Sequence, residues 1–90
     1  MAVKVKIPAM FQAATGGVKT AEIDCTTVGA CLKELANEYP GVKKMLFDEG
    51  DQFSGYLNVI VNGQNYHEDF FRIPVKSGDE IYPLIMIEGG

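Results

Sequence analysis

Few side chains in this sequence can do chemistry. It holds one histidine, His67, followed by Glu68 and Asp69; two cysteines, Cys25 and Cys31; and an acidic set, Asp48, Glu49 and Asp51. A histidine beside carboxylates can serve as an acid–base pair or metal ligand, and a cysteine as a nucleophile. Each role needs partners, and no Ser/His/Asp, Cys/His or paired-carboxylate constellation can be assembled from one histidine and loop acids. An iron–sulfur cluster needs four cysteine ligands, so two cysteines exclude it. No metal site is expected. His67 reads as a solvated loop residue, and Asp48, Glu49 and Asp51 as a solvated loop able to steer a basic partner at low salt. Gly16-Gly17 lacks the surroundings of a phosphate-binding loop and reads as turn chemistry. The end of the chain remains: a carboxylate on Gly90 preceded by Gly89, residues without a Cβ to clash in a narrow channel. Alone, such an end is equally what a frayed terminus looks like.

The elements that must carry that end are legible from patterning. The 90 residues, 47% hydrophobic, suffice for one compact domain and are too few for a nucleotide fold plus a second lobe. No apolar run of about 18 or more is present, and the opening MAVKVKIP lacks a signal-peptide stretch, so a soluble, cytoplasmic protein without membrane contact is expected. The net charge of -4 with only 8 scattered Lys and Arg argues against nucleic-acid binding. A basic protein surface is the better partner. Cys25 and Cys31 match neither a disulfide framework nor a metal knuckle and are expected as reduced thiols, with Cys31 in the core.

Ala2 to Ile7 alternates, with Val3, Val5 and Ile7 on one face and Lys4 and Lys6 on the other, which predicts a half-buried strand ended by Pro8. A wide loop through Thr15-Gly16-Gly17 leads to a second strand over Val18 to Ile23, forming a hairpin. Thr26 and Thr27 can cap a helix. Behind them Val28, Cys31, Leu32, Leu35, Ala36 and Tyr39 form one helical stripe, stopped at Pro40-Gly41. Val42 to Phe47 reads as a short second helical piece with Met45 and Leu46 inward. Tyr56 to Val61 is a strand, Asn62-Gly63 a hairpin signal, and Gln64 to Tyr66 a short return. Phe70 and Phe71 should anchor the following loop. Ser77-Gly78-Asp79 turns into a last strand from Glu80 to Ile87, where Pro83 requires an edge, a bulge or an N–H position facing no neighbour. Five strands and one main helix give an α+β roll.

That order, with Ser77-Gly78-Asp79-Glu80-Ile81 leading into the final strand, the capped helix Thr27-Val28-Gly29-Ala30-Cys31-Leu32, and the ending Ile87-Glu88-Gly89-Gly90, resembles the ubiquitin-like β-grasp sulfur carriers of the MoaD and ThiS type. The resemblance covers the whole chain as a single domain, 1–90, with a flexible tail at 88–90. Many MoaD-like chains carry a proline where Ile85 stands; here it is Pro83. Ile7-Pro8, Thr15-Gly16-Gly17 and the length look more like the branch serving cysteine or homocysteine synthesis. The resemblance implies a carrier and not an enzyme. An adenylating, sulfurtransferase-type partner uses ATP to activate the Gly90 carboxylate, a thiocarboxylate forms, and a second enzyme accepts the sulfur; the carrier itself binds no cofactor. Gly89 then supplies clearance, while Ile87 and Glu88 set the entry angle. Extended, Ile87 to Gly90 would reach on the order of 14 Å.

Alternation also places a docking surface. If Val3, Val5, Leu57, Val59, Ile81 and Ile85 face the helix, then Ile60, Tyr82, Leu84 and Met86 share the opposite face, an apolar patch flanking the tail. Two other readings use the same Gly90: a ubiquitin-like modifier forming isopeptide bonds with target lysines, and a small subunit of the molybdopterin synthase kind. A monomer or a heteromeric complex is expected.

Overall fold

The computed structural model describes residues 2–50 and 52–85. Its strands are β1 (Val3–Lys6), β2 (Thr20–Ile23), β3 (Leu57–Val61), β4 (Gln64–Tyr66) and β5 (Glu80–Ile85); its α-helices are α1 (Ala9–Gln12), α2 (Val28–Glu38) and α3 (Pro40–Leu46). The strands form one sheet in the order β2-β1-β5-β3-β4. β1 and β2 pair antiparallel, β3 pairs antiparallel with both β4 and β5, and β1 and β5 run parallel through the Lys4–Glu80 and Val5–Ile81 pairs. This is the expected mixed sheet with one main helix.

Local chemistry explains the elements. Thr27 sits in extended backbone and its Oγ1 accepts the Ala30 N–H at 3.2 Å, so α2 starts where the threonine supplies the missing acceptor. Asn62 and Gly63 both take positive φ, 49° and 86°, which the tight β3–β4 hairpin requires. Around Ser77-Gly78-Asp79, the Asp79 N–H donates to the Lys76 carbonyl, the Lys76 N–H to Asp79 Oδ2, and the Lys4 N–H to the Asp79 carbonyl. The turn therefore also sets β5 beside β1.

The core lies between one sheet face and the helices. Val3, Val5, Ala21, Ile23, Leu57, Val59, Val61 and Ile81 meet Val28, Cys31, Leu32 and Leu35 of α2, with Val42 and Leu46 of α3 and Phe11 of α1 joining the cluster. Ile85 packs against it partly buried. Phe70 is buried and anchors its loop, whereas Phe71 is 44% exposed.

Four expectations are corrected. The wide loop after β1 contains α1 and a 3-10 turn over Ala13–Thr15. The second helical piece begins at Pro40, where a proline costs nothing because the first helical N–H has no partner. Met45 is exposed, and Val42 takes the inward place beside Leu46. Cys25 and Cys31 form a disulfide instead of standing as separate thiols. The end of β2 and the start of α2 fold back on each other and bring their Cα atoms to 5.4 Å, inside the span a disulfide bridges.

Candidate functional site

The last described strand, β5, is the central one of the sheet, flanked by β1 and β3, and its described part ends at Ile85, opposite Leu57. Met86, Ile87, Glu88, Gly89 and Gly90, which include the expected reacting group, lie outside the described residues, so the site is built here from the strand that delivers them.

Pro83 is fully buried in that central strand and pairs with Val59. The Asn62 N–H donates to the Glu80 carbonyl at 2.9 Å, and antiparallel hydrogen bonds recur at every second pair. The Ile60–Tyr82 and Asn58–Leu84 pairs are thus the hydrogen-bonded ones, and Val59–Pro83 falls between them. The proline nitrogen points away from β3 toward β1, whose strand ends at Lys6. Of the options open to Pro83, a position where no ladder donor is needed on the β3 side is the one realised.

Ile60 and Tyr82 stand directly opposite one another, and Leu84 lies opposite Asn58, two residues further toward the tail. All three apolar side chains are partly exposed. The predicted patch is therefore brought together over its described members, on the face turned away from α2. Ile60 and Tyr82 also contribute to an open notch of about 470 Å³ walled by Lys6, Lys19 and Thr20 on one side and Asn62-Gly63 on the other. Lys6 Nζ lies 3.7 Å from Glu80 Oε2 with both side chains about half exposed, an ion pair worth about 0–1 kcal/mol. It decorates the surface more than it holds it.

Tyr56, 63% exposed immediately before β3, was not among the expected surface residues. The signal was present: counting by twos from Leu57 gives Val59 and Val61 on the inward face and leaves 56, 58 and 60 on the opposite one. The other chemistry-bearing residues are not gathered. His67, Glu68 and Asp69 are exposed in a loop, and Asp48 spends one carboxylate oxygen accepting the Gly50 and Gln52 N–H groups. Among the described residues no group of three or more His, Cys, Asp or Glu is placed to hold a metal ion, and no helix is long and apolar enough to cross a membrane.

Similar proteins match the chain over all or nearly all of its length. A sulfur carrier protein of Mycobacterium tuberculosis, CysO, is 27% identical, with all of both chains covered. The structure of the Amycolatopsis orientalis BexX/CysO complex contains a chain that superposes with a TM-score of 0.82 at 30% identity, covering 99% of this chain and 100% of that one. The small archaeal modifier protein 1 of Methanosarcina acetivorans superposes at 0.86 with 30% identity, covering 98% and 95%. The model of the ThiS family matches residues 5–90, from the first strand through the terminal glycines. The chain belongs to the ThiS family.

Proposed function

We propose that this protein is a sulfur carrier that works through the carboxylate of Gly90. The observation that carries the reading is the ThiS family match extending to residue 90, with Gly89-Gly90 following in sequence the strand at the centre of the sheet. A carboxylate is a poor acyl donor. A partner enzyme spends ATP to convert it to a mixed anhydride with AMP, sulfur displaces AMP, and the resulting thiocarboxylate carries nucleophilic sulfur to an acceptor enzyme without releasing sulfide. Gly90 provides the reacting carbon and Gly89 the clearance for threading a narrow channel. Ile87 and Glu88 direct the entry. The outer face of Ile60, Tyr82, Leu84 and Met86 docks the activating enzyme beside the tail. The carrier is a substrate of its partners; ATP and any metal belong to them, and the reaction takes place in the cytoplasm.

The acceptor we infer is an enzyme of cysteine or homocysteine synthesis, supported by the similarity to CysO sulfur carriers over the whole chain. Similarity to an archaeal modifier protein supports a second use of the same activated Gly90, an isopeptide bond to a target lysine.

The test is intact mass of protein from its own cells, combined with an electrophile that alkylates thioacids and sequencing of the C-terminal peptide. Alkylated thioacid at Gly90 is the expected result. A plain carboxylate with the same peptide branched onto target lysines would replace the carrier with the modifier, and neither form under excess sulfur supply would overturn both.

A further inference from the structure

Cys25 and Cys31 are nucleophilic side chains that sulfur carriage on Gly90 leaves unused, and their disulfide sits at a joint of the fold. Cys25 belongs to the connection between β2 and α2, and Cys31 to α2 itself. The residues between them hold the segment 71–75 in place. The Val28 N–H donates to the Ile73 carbonyl at 3.0 Å, the Gly29 N–H to the Phe71 carbonyl at 2.9 Å, and the Val75 N–H to the Thr26 carbonyl at 2.9 Å. Thr27 and Pro74 form a β-bridge in the same place. The cross-link thus closes a short loop around the backbone groups that dock this segment on the helix N-terminus.

The two sulfurs differ in access. Cys31 is fully buried in the core, whereas Cys25 is partly exposed. An external thiolate reaches Cys25 Sγ and must expel Cys31 as a thiolate into apolar surroundings, where it is poorly solvated and leaves slowly. The reduced state has an acceptor waiting, because Cys25 Sγ lies 3.7 Å from the Ile23 carbonyl oxygen, to which a thiol can donate and a disulfide sulfur cannot. The partly exposed Cys25 keeps the bond open to thiol exchange, as in labile, regulatory disulfides, and the buried Cys31 slows that exchange without preventing it.

We propose that Cys25–Cys31 is a reversible thiol–disulfide switch that tightens or releases the docking of the 71–75 segment on the N-terminus of α2. Reduction takes two electrons and two protons from a dithiol. One of its sulfurs bonds to Cys25 as the Cys25–Cys31 bond breaks and Cys31 takes up a proton; its second sulfur then displaces Cys25, leaving a cyclic disulfide and two protein thiols. Glutathione disulfide, as a low-molecular-weight oxidant, runs the exchange backward and leaves as two glutathione thiols.

The experiment uses the full chain, oxidised with glutathione disulfide or reduced with dithiothreitol. It is quenched in acid, alkylated with iodoacetamide and mapped by peptide, so that a thioacid at Gly90 is not counted. Expected are no alkyl group on either cysteine of the oxidised protein, one on each cysteine of the reduced protein, and amide hydrogen exchange at Val28, Gly29 and Val75 faster on reduction by on the order of tenfold while the β3–β5 ladder is unchanged. Alkylation of either cysteine in the oxidised protein, or equal exchange at the three amides in both states, would overturn the switch. Cys25→Ser should exchange like reduced wild type in both buffers, and a response of that variant to dithiothreitol would equally sink it.

Discussion

Gly29 shows how one residue is settled by what approaches it. In an exposed helix interior, alanine is favoured over glycine by about 1 kcal/mol. Here a Cβ on Gly29 would stand 2.8 Å from Phe71 Cβ and 2.8 Å from the Phe71 carbonyl oxygen, the same oxygen that accepts the Gly29 N–H. Backbone cannot swing aside as a flexible side chain can, so the clash outweighs the propensity gain, and Gly29→Ala is expected to destabilise by about 1–3 kcal/mol. Urea unfolding should show a lowered midpoint, with Gly55→Ala as the control, since nothing lies within 4 Å of its new Cβ. Leu35→Ala in the same helix is a different case. Its side chain is fully buried in the core, and truncation should cost about 2–5 kcal/mol by the same measurement. Leu35 was legible in the sequence because it lies on the 3.6-residue stripe. Gly29 was not, because no periodicity states which distant backbone comes to rest against it.

At the scale of elements, what was legible followed from local rules. Alternation located β1 and β3, the Ser77-Gly78-Asp79 turn with the apolar, β-branched run behind it located β5, the Asn62-Gly63 pair located the β3–β4 turn, and the Thr26-Thr27 pair located the start of α2. α1 escaped because its four residues are too short for a helical period to declare itself, and Met45 was misplaced because 42, 45 and 46 stand at i, i+3 and i+4, where periodicity alone does not say that Val42 and Leu46 take the buried row and Met45 its edge. The outer face of β5 follows from alternation as well, and it carries the prediction that belongs here. Leu84 is partly exposed opposite Asn58, so an aspartate there meets water and should leave the melting temperature close to wild type. On a docking face the same charge would be desolvated against the activating enzyme, and adenylation efficiency, kcat/KM, should fall on the order of tenfold or more. Unchanged adenylation by Leu84→Asp would remove this face from the interface.

The assembly of the whole molecule was the least legible part, because the sheet order β2-β1-β5-β3-β4 is made by strands far apart in the chain. Each hairpin announces itself locally, but the parallel pairing of Val5 with Ile81 has no signature short of the complete fold, and the Cys25–Cys31 cross-link became visible only once β2 and α2 were placed together. This arrangement makes β5 the keystone. Removing it would leave β1 paired with β2 and β3 paired with β4, with no strand-to-strand hydrogen bonds joining the two hairpins. An isolated two-stranded hairpin is at best marginally stable in water. The core would also lose Ile81 and Pro83, both fully buried between the hairpins. A chain ending at Lys76 is therefore expected to be unfolded, with a far-UV circular dichroism spectrum lacking helix and no cooperative thermal transition. Adding a peptide of residues 77–90 should restore both by strand addition, because β5 needs only to enter the gap between β1 and β3. A folded 1–76 fragment would mean that α2 alone holds the two hairpins together and that the strand delivering Gly90 is an addition to the fold. An unfolded fragment rescued by the peptide would mean that the tail is presented from the strand on which the fold depends.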